Sequence, residues 1–246
     1  MKFYKIIILV LTLISSANAN TIYYLIKIPN LEIYNNKSVN GLKYLKAVRQ
    51  FQVGIMDDNV SCSKQNDENI EEKFTTIKKN LDVYTSNFLN KINLKYIVLC
   101  EDLSVSDIEA AGIPNYKMKT IIINTKFNNY NLGRVVHHEL FHIINENYKN
   151  YFKKSIWINF NNLKFKYAEC STCSDKLGLS LLNKNEGFVS EYSMSTASED
   201  MAEVFSFLMV DGKKIQNKAL KDPVLNKKIN FIKKNILKID ETFNFD

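Results

Sequence analysis

The stretch His137-His138-Glu139-Leu140-Phe141-His142 holds every histidine of a 246-residue chain. Positions 138–142 within it read H-E-x-x-H. On an α-helix, residues i and i+4 lie on one face with β-carbons about 5–6 Å apart. The imidazoles of His138 and His142 can therefore share a single Zn2+, one per chain. Glu139, next to the first of them, can lie beside the ion without coordinating it, placed to take a proton from a metal-bound water.

A five-residue pattern also arises by chance, so its surroundings decide. Leu132, Val136, Leu140, Ile143 and Ile144 recur at helical spacing and give the helix a buried stripe beside the histidine pair. Asn131 is the expected N-cap. Packing alone gives no reason to gather all three histidines on one helix. His137 points off the ligand face and reads as a surface residue or a neighbour of the ligands, not as a ligand.

Upstream, 119–125 (Lys-Thr-Ile-Ile-Ile-Asn-Thr) predicts a strand leading into the metal helix, and as a sheet edge it would offer an extended peptide a β-augmentation site. Gly112, Pro114 and Asn115 mark a turn before it. Further strands are expected at 21–28, 31–34 and 95–100, a helix over 70–92, and a polar loop at 60–70. Downstream the pattern is mostly helical. An amphipathic helix is expected over 198–210, and Asp222-Pro223 should cap and open a helix whose stripe is Leu225, Ile229, Ile232 and Ile236. The lysines opposite that stripe read as a solvated face.

Residues 1–19 predict a secretory signal: Lys2 and Lys5, an apolar run over 6–14, and a small-residue site at Ala17-Asn18-Ala19. The run is too short to span a bilayer, and no other segment is long and apolar enough, so no transmembrane segment is expected. Residues 20–246 are expected to form one domain with an N-terminal lobe to about 150 and a C-terminal lobe beyond. Export to a secreted or periplasmic location favours disulfides. Of the pairings open to four cysteines, Cys62–Cys100 with Cys170–Cys173 is preferred on spacing. The competing reading joins Cys170 and Cys173 to His138 and His142 in a closed structural zinc site. The net charge is +7, yet only Arg49 and Arg134 are arginine, which weakens a nucleic-acid partner because phosphate and base recognition leans on arginine's planar fork.

A catalytic zinc keeps three protein ligands and an open position. No histidine remains for the third, since Asn145 and Tyr148 stand where an extended H-E-x-x-H-x-x-G-x-x-H pattern needs Gly and His. Glu199 and Glu203 are the strongest carboxylate pair, one helical turn apart: one can bind zinc while the other receives the free N–H of a ligand histidine. Thr196-x-x-Glu199 equally fits a capping box, in which Glu199 only closes a helix start.

With these residues the chain resembles the gluzincins, zinc peptidases that pair H-E-x-x-H on one helix with E-x-x-x-D/E on a later one. Among them it is similar to the catalytic domain of anthrax lethal factor and related small secreted peptidases, over about 130–210. Their second motif, Y-x(6)-E-x-x-x-E, is matched by Tyr192, Glu199 and Glu203, and Gly187-Phe188-Val189-Ser190-Glu191-Tyr192 resembles its lead-in. The resemblance implies an α+β zincin-like metallopeptidase domain, with a small twisted sheet and the active-site helix in the N-terminal lobe and a mostly helical C-terminal lobe. It implies Glu199 as third ligand, Glu203 behind a ligand histidine, Tyr192 as donor to the oxyanion, Glu139 as general base, and a peptide or protein substrate. The alternative from another class is an exported binding or adhesion protein, with a structural zinc or a non-catalytic fold of this type.

Overall fold

A computed structural model describes residues 30–35, 37–53, 60–66, 68–182 and 184–245. The expected signal segment and the strand expected at 21–28 lie outside these residues. Strand β1 (Leu31–Asn35) is antiparallel to β2 (Lys43–Ala47). The short β3 (Phe51–Val53) is antiparallel to β4 (Val60–Ser63), so the expected loop at 60–70 opens with a strand. Helices α1 (Ile70–Leu81) and α2 (Ser86–Lys91) follow. The single helix expected over 70–92 is broken because Thr85 caps a new one, its side chain accepting from Phe88 N.

Strand β5 (Tyr96–Val105) is the centre of the sheet. Its first half runs parallel to β2 and to β8 (Thr120–Asn124), and its second half pairs with β4 and with the two-residue β6 (Ile108–Glu109). The edge on the β8 side is β7 (Gly112–Asn115), antiparallel to β8. Two expectations are corrected here. Gly112-Ile-Pro-Asn115 is a strand, and the turn falls after it, where Lys119 adopts a φ of 58°. Strand β8 is interior, so the edge belongs to β7, where Pro114 lacks an N–H and is tolerated because one side has no partner strand among the described residues.

The period-2 alternation of β5 separates two cores. Ile97 and Leu99 join Tyr44, Ile121 and Ile123 against the helices. Tyr96, Val98 and Cys100 join Leu45, Phe51 and Leu103 on the opposite face, where Cys62 and Cys100 form a disulfide.

Helix α3 (Asn129–Asn147) carries the histidines and packs between α1, the sheet and α5 (Ala197–Val210). Its cap is Asn128, not Asn131: the Asn128 side chain accepts from Asn131 N at 2.9 Å. Helix α5 is buried on nearly all sides instead of amphipathic, because α3 covers one face and α7 (Pro223–Ile239) another. The short α4 (Lys154–Ile158) and α6 (Gly212–Ala219) complete the helical half. The Asp222 cap forms as expected, accepting from Leu225 N at 2.9 Å. Beneath this half lies an ion pair with no exposed surface, Lys228 Nζ to Asp200 Oδ2 at 2.6 Å. Asp200 Oδ2 also accepts from Trp157 Nε1 and the Tyr167 hydroxyl. The whole is a mixed α+β fold, and no helix among the described residues is long and apolar enough to cross a membrane.

Candidate metal centre

Helical spacing puts His138 and His142 side by side on α3, with ring centroids 4.8 Å apart and Nε2 atoms 3.1 Å apart. The start of α5 brings in the third group. Thr196 Oγ1 accepts from Glu199 N at 3.2 Å, so the backbone half of the capping box is present. The Glu199 side chain, however, turns away from the cap toward α3. Its Oε2 lies 2.9 Å from His138 Nε2 and 3.2 Å from His142 Nε2.

These three atoms form the one cluster among the described residues that can hold a metal ion. The donor set fits zinc: two imidazole nitrogens and a carboxylate oxygen, spaced only slightly closer than the about 3.3 Å expected of tetrahedral ligands at zinc–nitrogen distances. Cys170 and Cys173 are joined to each other in a disulfide, so they are not thiolate ligands. Burial works against a charge on His138, but hydrogen bonds to Glu199 and Glu203 and the charge of Glu139 outweigh it and raise its pKa to about 10. A proton and a divalent cation are therefore alternative occupants of the point where the three donors meet.

Glu203, one turn along α5, lies behind His138: its Oε1 is 3.0 Å from Nδ1. Its Oε2 accepts from Arg134 Nη2 and from Ser190 Oγ. Arg134 stands one turn before His138 on α3, donates also to Leu179 O, and lays its guanidinium 3.8 Å over the Phe207 ring. Neither Arg134 nor Ser190 was singled out from sequence. The available signals were Arg134's position four residues before the first ligand and Ser190's place in the 187–192 block.

Glu139 is buried beside His138. Burial raises its pKa, against the opposing pull of His138 and His142. Gly112 of β7 packs so tightly on it that a β-carbon there would stand 2.5 Å from Glu139 Cγ. Tyr192, in a 3-10 turn (Tyr192–Met194), sets its ring 5.8 Å from that of His138. It lines the larger cavity with Ser171 and Glu199; burial and then the charges of Glu199 and Glu139 push its pKa up.

His137 does not join this group. It is buried on the far side of α3, not at the surface, with Nδ1 against the Tyr84 hydroxyl and Nε2 3.1 Å from Asn80 Oδ1. Burial lowers its pKa to about 3 and keeps it neutral.

Two cavities, of about 210 and 390 Å3, meet at Gly112, His138, Glu139 and Tyr192. The smaller reaches toward Arg134 and Leu179, the larger toward His142, Glu146 and Ser171. The cleft thus runs along α3 beneath β7.

None of the curated proteins matches the chain. Among solved structures, the fold is similar to that of "a putative zinc-binding metallo-peptidase from Bacteroides caccae ATCC 43185", with 17% identity, a TM-score of 0.51, and coverage of 94% of this chain and 89% of that one. Residues 101–242, more than half of the chain, match a family model described as "Putative zinc-binding metallo-peptidase". That span contains α3, the turn at Tyr192 and α5, and the chain belongs to this family.

Proposed function

We propose that the protein is an exported endopeptidase of the gluzincin type, using one zinc held by His138, His142 and Glu199. The observation that carries this reading is the convergence of those three donor atoms with Glu139 beside them. When bound there, zinc supplies Lewis-acid polarisation and lowers the pKa of a water. Glu139, raised above the ordinary carboxylate range by burial, takes the proton of the attacking water and returns it to the leaving amine. The Tyr192 hydroxyl, held in its protonated form by burial, donates to the oxyanion. Glu203 holds His138 by its Nδ1 proton and so keeps Nε2 directed at Glu199 and His142.

The edge position of β7 supports a substrate bound as an extended strand. A peptide antiparallel to β7 enters at the Tyr116 end and leaves its C-terminal part at the cavity near Arg134. Export rests on the 1–19 pattern and agrees with two disulfides.

The test is zinc analysis and a peptide-library digest of the purified protein with and without Glu139→Gln. About one zinc per chain in both, and cleavage only by the wild type, is the expected result. Equal cleavage by both overturns the mechanism, and absence of zinc overturns the centre. Intact-mass analysis of exported protein should show a chain beginning near Asn20.

A further inference from the structure

The positive charge of the chain is gathered in one place. Residues 213–238 hold nine lysines and a single acid, Asp222, whereas the whole chain carries +7, so the remainder is close to neutral. This stretch is α6, α7 and the turn between them. Its one acid is engaged inside the fold. Asp222 Oδ1 accepts from Leu225 N at 2.9 Å, and Oδ2 accepts from Gly187 N at 2.8 Å and from Lys218 Nζ at 3.2 Å.

Beside the turn lies an open cavity of about 650 Å3 walled by Lys184, Lys214, Lys218 and Lys221, with Glu186 as its one exposed acid among the described residues. The side chains of Lys184 and Lys221 are exposed, and neither meets a carboxylate or another hydrogen-bond acceptor among the described residues. Leu220, directly before Lys221, is 84% exposed and also borders the groove where α6 meets α7 and Lys233 stands. A single exposed leucine is ordinary. This one projects from a helical corner among ammonium groups that repel one another, a setting that an anionic partner with an apolar layer would relieve. An anionic bilayer offers both at once, phosphates at its surface and acyl chains just beneath. A nucleic acid offers phosphates without the apolar layer, and the four cations are lysines, which lack the planar fork suited to phosphate recognition.

We propose that the α6–α7 corner docks the protein on an anionic lipid surface, with Lys184, Lys214, Lys218 and Lys221 meeting headgroup phosphates and Leu220 entering the acyl boundary. The inference goes beyond the peptidase reading and does not depend on it. Salt confines such attraction to about 8 Å at physiological ionic strength, so the attachment is reversible and sensitive to salt.

The test is sedimentation of the purified protein with phosphatidylcholine vesicles, and with vesicles of equal parts phosphatidylcholine and phosphatidylglycerol. The protein should bind the second kind and not the first, and high salt should release it. Lys184→Gln/Lys221→Gln should weaken binding by about 25-fold, since each lysine near an anionic surface contributes about fivefold. Lys79→Gln/Lys154→Gln, an exposed pair on α1 and α4, should change it far less. Leu220→Ser should weaken binding by about tenfold through the lost apolar contact. In Leu220→Trp, the introduced indole should shift its emission to the blue on anionic vesicles, while the buried Trp157, the chain's one natural tryptophan, reports that the fold is intact. Failure to bind, or equal binding to both kinds of vesicle, overturns the proposal. Equal losses in the two lysine pairs also overturn it, because net charge alone then explains the attraction. Displacement by inorganic phosphate with the Leu220→Trp emission unshifted overturns it as well, and assigns the cavity to a free anion.

Discussion

Glu203 Oε1 stands 3.0 Å from His138 Nδ1, while the same carboxylate's other oxygen is held by Arg134 and Ser190. A carboxylate anchored on one side in this way accepts the Nδ1 proton on the other, and it leaves the Nε2 lone pair free for a metal. Glu203→Gln should weaken zinc binding by about 10–100-fold, the range found for partners of ligand histidines, without removing a ligand. Competition with a chromophoric chelator measures it. Affinity equal to wild type would show that His138 is oriented by packing alone.

Gly112 lies where any β-carbon would press on the Glu139 side chain, at 2.5 Å from Cγ and 2.9 Å from Cδ. The clash is with the Glu139 side chain and not with backbone, so Gly112→Ala should fold and retain zinc with that side chain turned aside. Under the proposed mechanism, Glu139 would be displaced from the attacking water, lowering kcat by about tenfold or more, since errors of 1 Å in positioning cost up to about 100-fold. Steady-state kinetics beside metal analysis separates this from loss of the site.

The raised pKa of His138 has a sign that calorimetry can read. With a folded pKa of about 10, His138 carries a proton at pH 7 in the metal-free protein, and zinc must displace it. Binding should release about one proton per zinc at pH 7, seen as a dependence of the apparent enthalpy on the buffer's ionisation enthalpy. Apparent affinity should rise about tenfold per pH unit across pH 6–8 if that single proton is displaced. No proton release would mean that His138 is already neutral and that Glu199 and Glu203 do not hold it charged.

Lys228 and Asp200 form a wholly buried pair; burial pushes the lysine pKa down and the aspartate pKa up, each opposed by its partner. Removing one member strands the other, so Lys228→Met should cost about 3–5 kcal/mol in urea unfolding. Lys228→Met with Asp200→Asn should recover much of it. A small loss in the single variant would indicate that Asp200, adjacent to Glu199, is satisfied by Trp157 and Tyr167 alone.

Much of the candidate metal centre was legible because it depends on local geometry. His138 and His142 are neighbours on any helix, as are Glu199 and Glu203, and an Asp-Pro pair caps a helix whatever lies around it. The misread segments share a cause: their local signals are real but were outweighed. Gly112 and Pro114 are turn formers, yet they form β7 because β8 offers a ladder and Glu139 leaves no room for a β-carbon. The polar 60–63 segment pairs with the outer half of β5, a contact across about 40 residues that no local pattern reports. His137 looked like a surface residue because its partners, Tyr84 and Asn80, come from more than 50 positions away.

The sequence by itself determined the pairings that a single helix imposes: two imidazoles at i and i+4, a glutamate between them, and two carboxylates a turn apart downstream. These depend only on backbone periodicity. Tertiary structure decided which carboxylate meets the imidazoles, because Glu199 and Glu203 are equivalent on an isolated helix and differ only through the way α5 crosses α3. It also decided that Arg134 and Ser190 close around Glu203 and that β7 is the edge strand over the cleft. Each of these joins residues distant in the chain, and such contacts exist only once the burial of the two cores has set the elements side by side.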